Sequence, residues 1–259
     1  MTDMREHEME KMNQKKDGPG TLRLSKRLNL VASFVPEGSR IADIGTDHGY
    51  IPIYLAQTGK TRSALAMDVR KEPLARAQAH IEEFWKNGGG SITTRLSDGL
   101  KELRPGEVDT VIIAGMGGEL EIRILEEGKR LWNDIKRWVL SPQSDLDKVR
   151  RYLAANGFSI EKEAMVKDQG KFYTVMLVVR GHMEYENQAQ YLYGKKLIEQ
   201  KNSVLKEYLL RERSRVEGIL AGLKAADAGK PPLTPAQEKA IKQLSDELFW
   251  IKEAQDEMQ

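Results

Sequence analysis

The chain has 259 residues, enough to bury a sizeable core in one large domain or in one domain plus a small appendage. Lysine and arginine number 41 against 39 acids, a formal charge of only +2, so no global field advertises a polyanionic partner and local patches must hold one. There is no cysteine, which excludes disulfides and thiolate metal sites, and no apolar run approaches the roughly 18 residues of a membrane span, so a soluble, cytoplasmic protein is expected.

Residues 1–20 are polar, rich in methionine and end in Asp17-Gly18-Pro19-Gly20, the composition of a disordered leader. Leu22, Leu24, Leu28, Val31, Ala32 and Val35 then mark an amphipathic helix that stops at Pro36-Glu37-Gly38. Arg23, Lys26 and Arg27 lie three and four residues apart and form one basic edge, either a solvated face or a contact for phosphate.

Residues 40–50 are the stretch around which the chain is organised. Ile41, Ala42 and Ile44 read as a strand buried on both faces, and from Tyr50 to Ala56 the apolar residues fall at helical spacing. Gly45 lies where backbone would pass close to a ligand, with Asp43 bracing the loop from beneath. A dinucleotide-binding loop would read G-x-G-x-x-G and pack a pyrophosphate on a helix N-terminus. Gly45 and Gly49 do not fit that spacing, and carboxylates at Asp43 and Asp47 would repel phosphate.

Residues 63–68 form a second strand ending in Asp68, and residues 72–85 a helix with Leu74, Ala77 and Ile81 on its buried face, ended by Asn87-Gly88-Gly89-Gly90. Residues 92–96 are strand 3, followed by Ser97-Asp98-Gly99-Leu100, and residues 109–114 are strand 4, with Gly115-Met116-Gly117-Gly118 just beyond. Ligands of open α/β sheets bind at these carboxyl ends, and three glycines in four residues leave room for a flat base. A helix over 119–130, strand 5 over 137–140, a loop at 141–144 and a helix over 145–156 with Gly157 as its stop come next. Residues 158–166 and 171–180 alternate as antiparallel strands, seven in all.

The remainder differs in kind. From 187 to 223, Ile198, Leu205, Leu209, Val216, Ile219 and Leu223 sit at spacings that sum to heptads, which predicts one helix of roughly 50 Å at ~1.5 Å per residue. Residues 226–232 break it. Thr234, Pro235 and Gln237 make an N-cap, first-turn proline and capping box for a second helix carrying Ile241, Leu244, Leu248, Ile251 and Met258. An antiparallel coiled-coil hairpin is expected, paired within one chain or between two. Arg211, Arg213 and Arg215 make it locally basic, with Glu207, Glu212 and Glu217 interleaved.

The loop at 43–49 resembles motif I of the class I S-adenosylmethionine (SAM) methyltransferases, acid-x-Gly-x-Gly-x-Gly, with Asp47 in place of the middle glycine. Together with Leu24-Ser25-Lys26-Arg27-Leu28, Asp47-His48, Asp98-Gly99-Leu100 and Ala114-Gly115-Met116-Gly117-Gly118, the chain resembles the bacterial TrmK family. Its members are tRNA methyltransferases acting on N1 of the adenine at position 22. Gly49 stands where that family would have Ala, and Ser141-Pro142-Gln143 where it often has Gln-Pro-Asn.

The resemblance implies a Rossmann-like seven-stranded methyltransferase domain over residues 21–181, then an α-helical coiled-coil domain over 182–259. It implies SAM as cofactor, held by Asp43, Gly45, Thr46, Asp68 at the ribose, Asp98 and Gly99 at the adenine, and Ala114, Gly115, Met116 and Gly117. It gives His48, Tyr50 and Arg27 to catalysis, with His48 and Tyr50 holding the base; Asp47, also a candidate, either orients His48 or satisfies backbone N–H groups. For the tRNA partner, Arg23, Lys26, Arg27, Arg211 and Arg215 are the contacts expected, the protein acting as monomer or coiled-coil homodimer without a metal. An enzyme for adenine's exocyclic amine would carry an Asn/Asp-Pro-Pro-aromatic clamp after strand 4, and Gly115-Met116-Gly117-Gly118 holds neither proline nor aromatic, which favours a ring nitrogen. Two alternatives stay open: a class I methyltransferase for a small molecule or protein, and a non-catalytic coiled-coil protein on a relic SAM fold.

Overall fold

The structure, a computed structural model, describes residues 22–85, 91–227 and 234–259. The expected leader and the Asn87–Gly90 helix end lie outside these residues, as does most of the break at 226–232. Seven strands form one sheet in the order β3-β2-β1-β4-β5-β7-β6, where β1 is Ser39–Ile44, β2 Thr61–Asp68, β3 Ser91–Leu96, β4 Thr110–Ala114, β5 Arg137–Ser141, β6 Phe158–Asp168 and β7 Lys171–Arg180. The helices between them are α1 (Lys26–Phe34), α2 (Tyr50–Gln57), α3 (Lys71–Phe84), α4 (Gly118–Glu127) and α5 (Leu146–Ala155). The chain divides into two compact units, residues 1–114 with 124–137, and residues 115–123 with 138–259.

In the first unit, β1 pairs in parallel with β2 on one side and β4 on the other, Asp43 opposite Ala66 and Ile112. Strand order reverses at this point, which leaves a crevice for ligand at the strands' carboxyl ends. Ile41, Ala42, Ile44, Ala66, Met67, Val111, Ile112 and Ile113 are buried, as strands covered on both faces must be. Ser25 caps α1, its hydroxyl accepting from Leu28 N–H at 3.3 Å.

In the second unit, β7 runs antiparallel to both β5 and β6. The continuous helix expected from 187 to 223 is instead three: α6 (Gln188–Tyr193), α7 (Lys195–Glu199) and α8 (Ser203–Asp227). The first break is forced at Gly194, with φ +96°. The carbonyls of Tyr191 and Leu192 accept from Arg150 Nη1 at 2.7 and 3.0 Å, and a Cβ on Gly194 would lie 2.7 Å from Glu163 Oε2. The second break comes after Lys201, at φ +50°, and Asn202 Oδ1 then caps α8 by accepting from Val204 and Leu205 N–H.

α8 pairs antiparallel within the chain with α9 (Pro235–Glu257), which starts on the expected Thr234–Gln237 capping box. Arg213 Nη1 donates to Gln255 at 3.2 Å, and Lys201 Nζ to the carbonyl of Gln259 at 2.6 Å. Leu205, Leu209, Val216 and Leu220 from α8 are buried with Ile251, Ala254 and Met258. Ile219, expected in that seam, is 42% exposed and Leu220 replaces it, the shift of one residue that arises when a helix of period 3.6 drifts off a strict heptad.

Candidate active site

The turn after β1 is fixed by its backbone. Gly45 sits at φ +76°, and the N–H groups of Gly45 and Thr46 both donate to the carbonyl of Met67, at 2.8 and 2.9 Å, so the turn is tied to the end of β2. Gly49 caps α2 at φ +69°, a left-handed conformation that suits glycine, and a Cβ there would approach that of Ala77 at 3.3 Å.

Three carboxylates stand at or just beyond three strand ends. Asp43 is buried, and burial pushes its carboxyl up to about 6, with the charge of Asp68 adding to the shift. Asp68 is also buried and accepts the Arg70 N–H at 2.8 Å through Oδ1. The loop after β3 is pinned to it, Ser97 N–H donating to the Asp68 carbonyl at 2.9 Å. Asp98 stands 2.5 Å from Lys101 Nζ, and Gly99 at φ +56° lies so close to Ile124 that a Cβ would come within 3.2 Å. Val69 and Leu96, beside Asp68 and Ser97, are 58% and 45% exposed, an apolar lip on an acidic edge. Thr46, buried beside Asp43, opposes part of the Asp43 shift through its side-chain hydroxyl. A cofactor carrying hydroxyls, an amine and a flat base, and no phosphate, fits this donor and acceptor set. Ala114 belongs here too, ending β4 just after the Ile44–Ile113 pair.

A cluster of rings adjoins the turn. His48 and Tyr50 lie 5.0 Å apart between centroids with planes within 11°, and His80 of α3 stacks on both, at 5.4 and 5.3 Å. Asp47 Oδ2 is 3.3 Å from His48 Nε2, and its Oδ1 accepts from Arg76 at 2.9 Å. That hydrogen bond holds the Asp47 carboxyl below the usual range, so it stays charged. His48 Nδ1 is buried without a partner among the described residues. Asp47 thus stands where it can orient His48. His80 and Arg76 carried no sequence signal beyond their spacing of four on one helix face.

In the second unit, the turn of Gly115, Met116 and Gly117 is zipped to the loop after β5. Gly115 N–H donates to the Ser141 carbonyl at 3.1 Å, Gln143 N–H to the Met116 carbonyl at 2.8 Å, and Gly118 N–H to the Ser144 carbonyl at 3.2 Å. Gly115 needs its φ of +92°, and a Cβ on Gly118 would meet the Ser144 carbonyl at 2.5 Å. The space left by Gly118 is thus filled by protein, and only Gly115 to Gly117 remain half-exposed. Glu121, one turn along α4, is wholly buried with both oxygens unpartnered among the described residues, and burial pushes its carboxyl well above the usual range.

The basic residues are less concentrated than the sequence suggests. Leu22 N–H donates to Gln57 at 2.8 Å, tying the segment before α1 to the end of α2 opposite Tyr50. Arg23 and Lys26 are exposed near that end, and Arg27 comes next on α1. Arg215 is shared between Glu212 and Glu247, and Arg211 pairs with Glu212 and lies 5.2 Å over the Phe172 ring, so intramolecular partners offset both charges.

Residues 24–176 match the family model described as "Methyltransferase domain". The chain is 32% identical over 241 residues to the tRNA (adenine(22)-N(1))-methyltransferase of Bacillus subtilis, covering 91% of this chain and 98% of that one. Among solved structures, the B. subtilis m1A22 tRNA methyltransferase TrmK superposes with a TM-score of 0.75 at 30% identity, covering 90% of this chain and 99% of that one. The M. capricolum TrmK in complex with the cofactor product S-adenosyl-homocysteine does so with a TM-score of 0.75 at 27% identity, over 91% and 99%.

Proposed function

Because this chain belongs to the TrmK family of tRNA (adenine(22)-N1)-methyltransferases, we propose that it transfers a methyl group from SAM to N1 of the adenine at position 22 of tRNA. The observation that carries the reading is the row Asp43, Asp68 and Asp98 at the strand ends beside the stacked rings of His48 and Tyr50. Acids at that edge disfavour a pyrophosphate and favour a cationic donor with ribose hydroxyls.

SAM, when bound, supplies an electrophilic methyl on a sulfonium sulfur. Adenine N1 already carries a lone pair, so no strong base is needed, and positioning supplies most of the rate through an in-line approach at about 3 to 3.5 Å. Asp68, one oxygen of which takes the Arg70 N–H, would accept from the ribose hydroxyls, and Asp98 would accept from the adenine amine of the cofactor. Asp43 and Thr46 would hold the floor of the turn and Gly45, Gly99 and Ala114 would bring backbone close to the ligand, while Gly115, Met116 and Gly117 are assigned to the cofactor on the family resemblance alone. His48 and Tyr50 hold the target adenine once it has left its stack. Methylation makes that base cationic, and Asp47, kept ionised by Arg76, stabilises the charge.

Arg23, Lys26, Arg27, Arg211 and Arg215 are the phosphate contacts we assign to tRNA, Arg211 and Arg215 also pairing with Glu212. The α8–α9 pair closes within one chain, which supports a monomer. A tRNA substrate implies a cytoplasmic reaction, and among the described residues no helix is long and apolar enough to cross a membrane.

Incubation with labelled SAM and two transcripts, one with adenine and one with guanine at position 22, tests the reading. Label recovered as 1-methyladenosine from the first transcript alone is expected. Label at another nucleoside, or equal label in both, would overturn it.

A further inference from the structure

α3 turns one face toward residues 47–50. Arg76 and His80, four residues and so one turn apart on that face, grip the two sides of residue 48. Arg76 Nη2 donates to Asp47 Oδ1 at 2.9 Å, and Asp47 Oδ2 in turn lies 3.3 Å from His48 Nε2. His80 Nδ1 lies 3.0 Å from the His48 carbonyl. A carbonyl only accepts, so Nδ1 of His80 carries the proton and donates, while a carboxylate at Nε2 of His48 requires Nε2–H there. The two imidazoles thereby turn opposite nitrogens to their partners, Nδ1 in His80 and Nε2 in His48, and Nδ1 of His48 is buried with no partner among the described residues. Between the two grips Ala77 supports Gly49 at close range, and Phe84 closes the far side of His80 edge-on at 6.2 Å.

We propose that α3 is the positioning element for the target base, with Arg76 and His80 as positioning residues that fix the orientation and tautomer of His48 and its stack with Tyr50. The inference rests on the reading that His48 and Tyr50 receive the adenine. A ring pair held in advance incurs no ordering cost when the base arrives. His80 thus acts through His48, and Arg76 through Asp47.

Two measurements on the full-length protein test this. The first is methylation of adenine-22 tRNA by Arg76→Gln, His80→Ala, His80→Phe and His80→Asn, with SAM affinity and melting temperature measured alongside. Loss of a positioning contact is expected to lower kcat about tenfold to a hundredfold in His80→Ala with SAM affinity unchanged. His80→Asn, which offers an N–H to the same carbonyl, is expected to recover more than His80→Phe. Wild-type kcat in Arg76→Gln and His80→Ala would overturn the inference, as would a parallel loss of folding and SAM binding that His80→Asn leaves unrepaired.

The second needs no turnover. Imidazole nitrogen NMR, assigned by single substitution among the 4 histidines, is expected to show Nδ1–H at His80 and Nε2–H at His48, with the His48 tautomer mixed in Arg76→Gln. Mixed tautomers in the wild type would refute the positioning role even in an active enzyme. Fixed tautomers in a protein that leaves adenine-22 unmethylated would instead refute the substrate assignment and leave the positioning role standing.

Discussion

Arg150 of α5 donates through Nε to Glu163 of β6 at 3.0 Å, and neither side chain has any solvent exposure. The same guanidinium takes the carbonyls of Tyr191 and Leu192, so one ion pair joins a sheet strand, the helix before it and the first helix of the C-terminal segment. It also ends that helix, since carbonyls given to Arg150 are lost to the helical ladder.

Breaking the pair is expected to be costly. Arg150→Leu leaves Glu163 buried without its partner and should lower the unfolding free energy by about 3 to 5 kcal/mol, whereas Arg150→Leu combined with Glu163→Leu should regain much of it. Urea unfolding of the three proteins reads this directly. Equal stability of the single and double variants would show that the pair is not the anchor.

The glycine at the break carries its own penalty. Gly194→Ala puts a methyl 2.7 Å from Glu163 Oε2 and 3.0 Å from Arg150 Nη2, at a φ of +96° that an L side chain rarely adopts. A loss of about 1 to 3 kcal/mol from backbone strain alone is expected. A melting temperature equal to that of the wild type would mean the segment relaxes without cost.

The helix break also marks where local sequence patterns stop being informative. β1, β2 and β4 are legible because a strand buried on both faces is an apolar run, and the acids within or ending two of them, Asp43 and Asp68, stand out against it. β6 and β7 are legible as two strands joined across Asp168-Gln169-Gly170, although β7 buries the unbroken run from Thr174 to Val178 where alternation is expected, and the cap of α9 is legible by Thr234, Pro235 and Gln237. The break at Gly194 is not, because its cause is Arg150 and Glu163, more than thirty residues away in sequence. His80 is likewise silent: it reads as one polar residue on an amphipathic helix until the fold lays α3 beside the turn at 47–50. Local patterns record burial, whereas a site assembled from a helix and a distant turn leaves no periodic trace.

At the cofactor site, Asp68→Asn is the cleanest probe. The amide keeps an oxygen for the Arg70 N–H, so the turn should hold, but it replaces the second acceptor with a donor and removes the charge. SAM affinity should fall roughly tenfold to a hundredfold, the worth of one or two hydrogen bonds to a charged group. Titration calorimetry with SAM measures it, and an unchanged dissociation constant would remove Asp68 from the ribose site.

Asp43 predicts a pH dependence of unusual sign. Its carboxyl is raised from 3.8 to about 6 by burial, so between those values the folded protein binds a proton that the unfolded chain has released. The slope of unfolding free energy against pH from this group is therefore negative: its favourable contribution is full below about pH 4 and is lost as pH rises through about 6. The amount is roughly 3 kcal/mol, from a shift of about two units in a fully buried group. Other carboxyls run the opposite way, Glu107 being held down to about 2 by Arg95, so the wild-type curve alone mixes signs. The difference between the wild type and Asp43→Asn isolates the effect. Without cofactor, the variant should gain stability relative to the wild type between pH 4 and pH 7.5, with most of the change falling at and below pH 6. Because a cationic donor favours the ionised form of Asp43, SAM affinity of the wild type should rise across the same interval, and that rise should be absent in Asp43→Asn. Unfolding and SAM titrations from pH 4 to 8 test both, and a stability difference independent of pH would show that Asp43 does not titrate there.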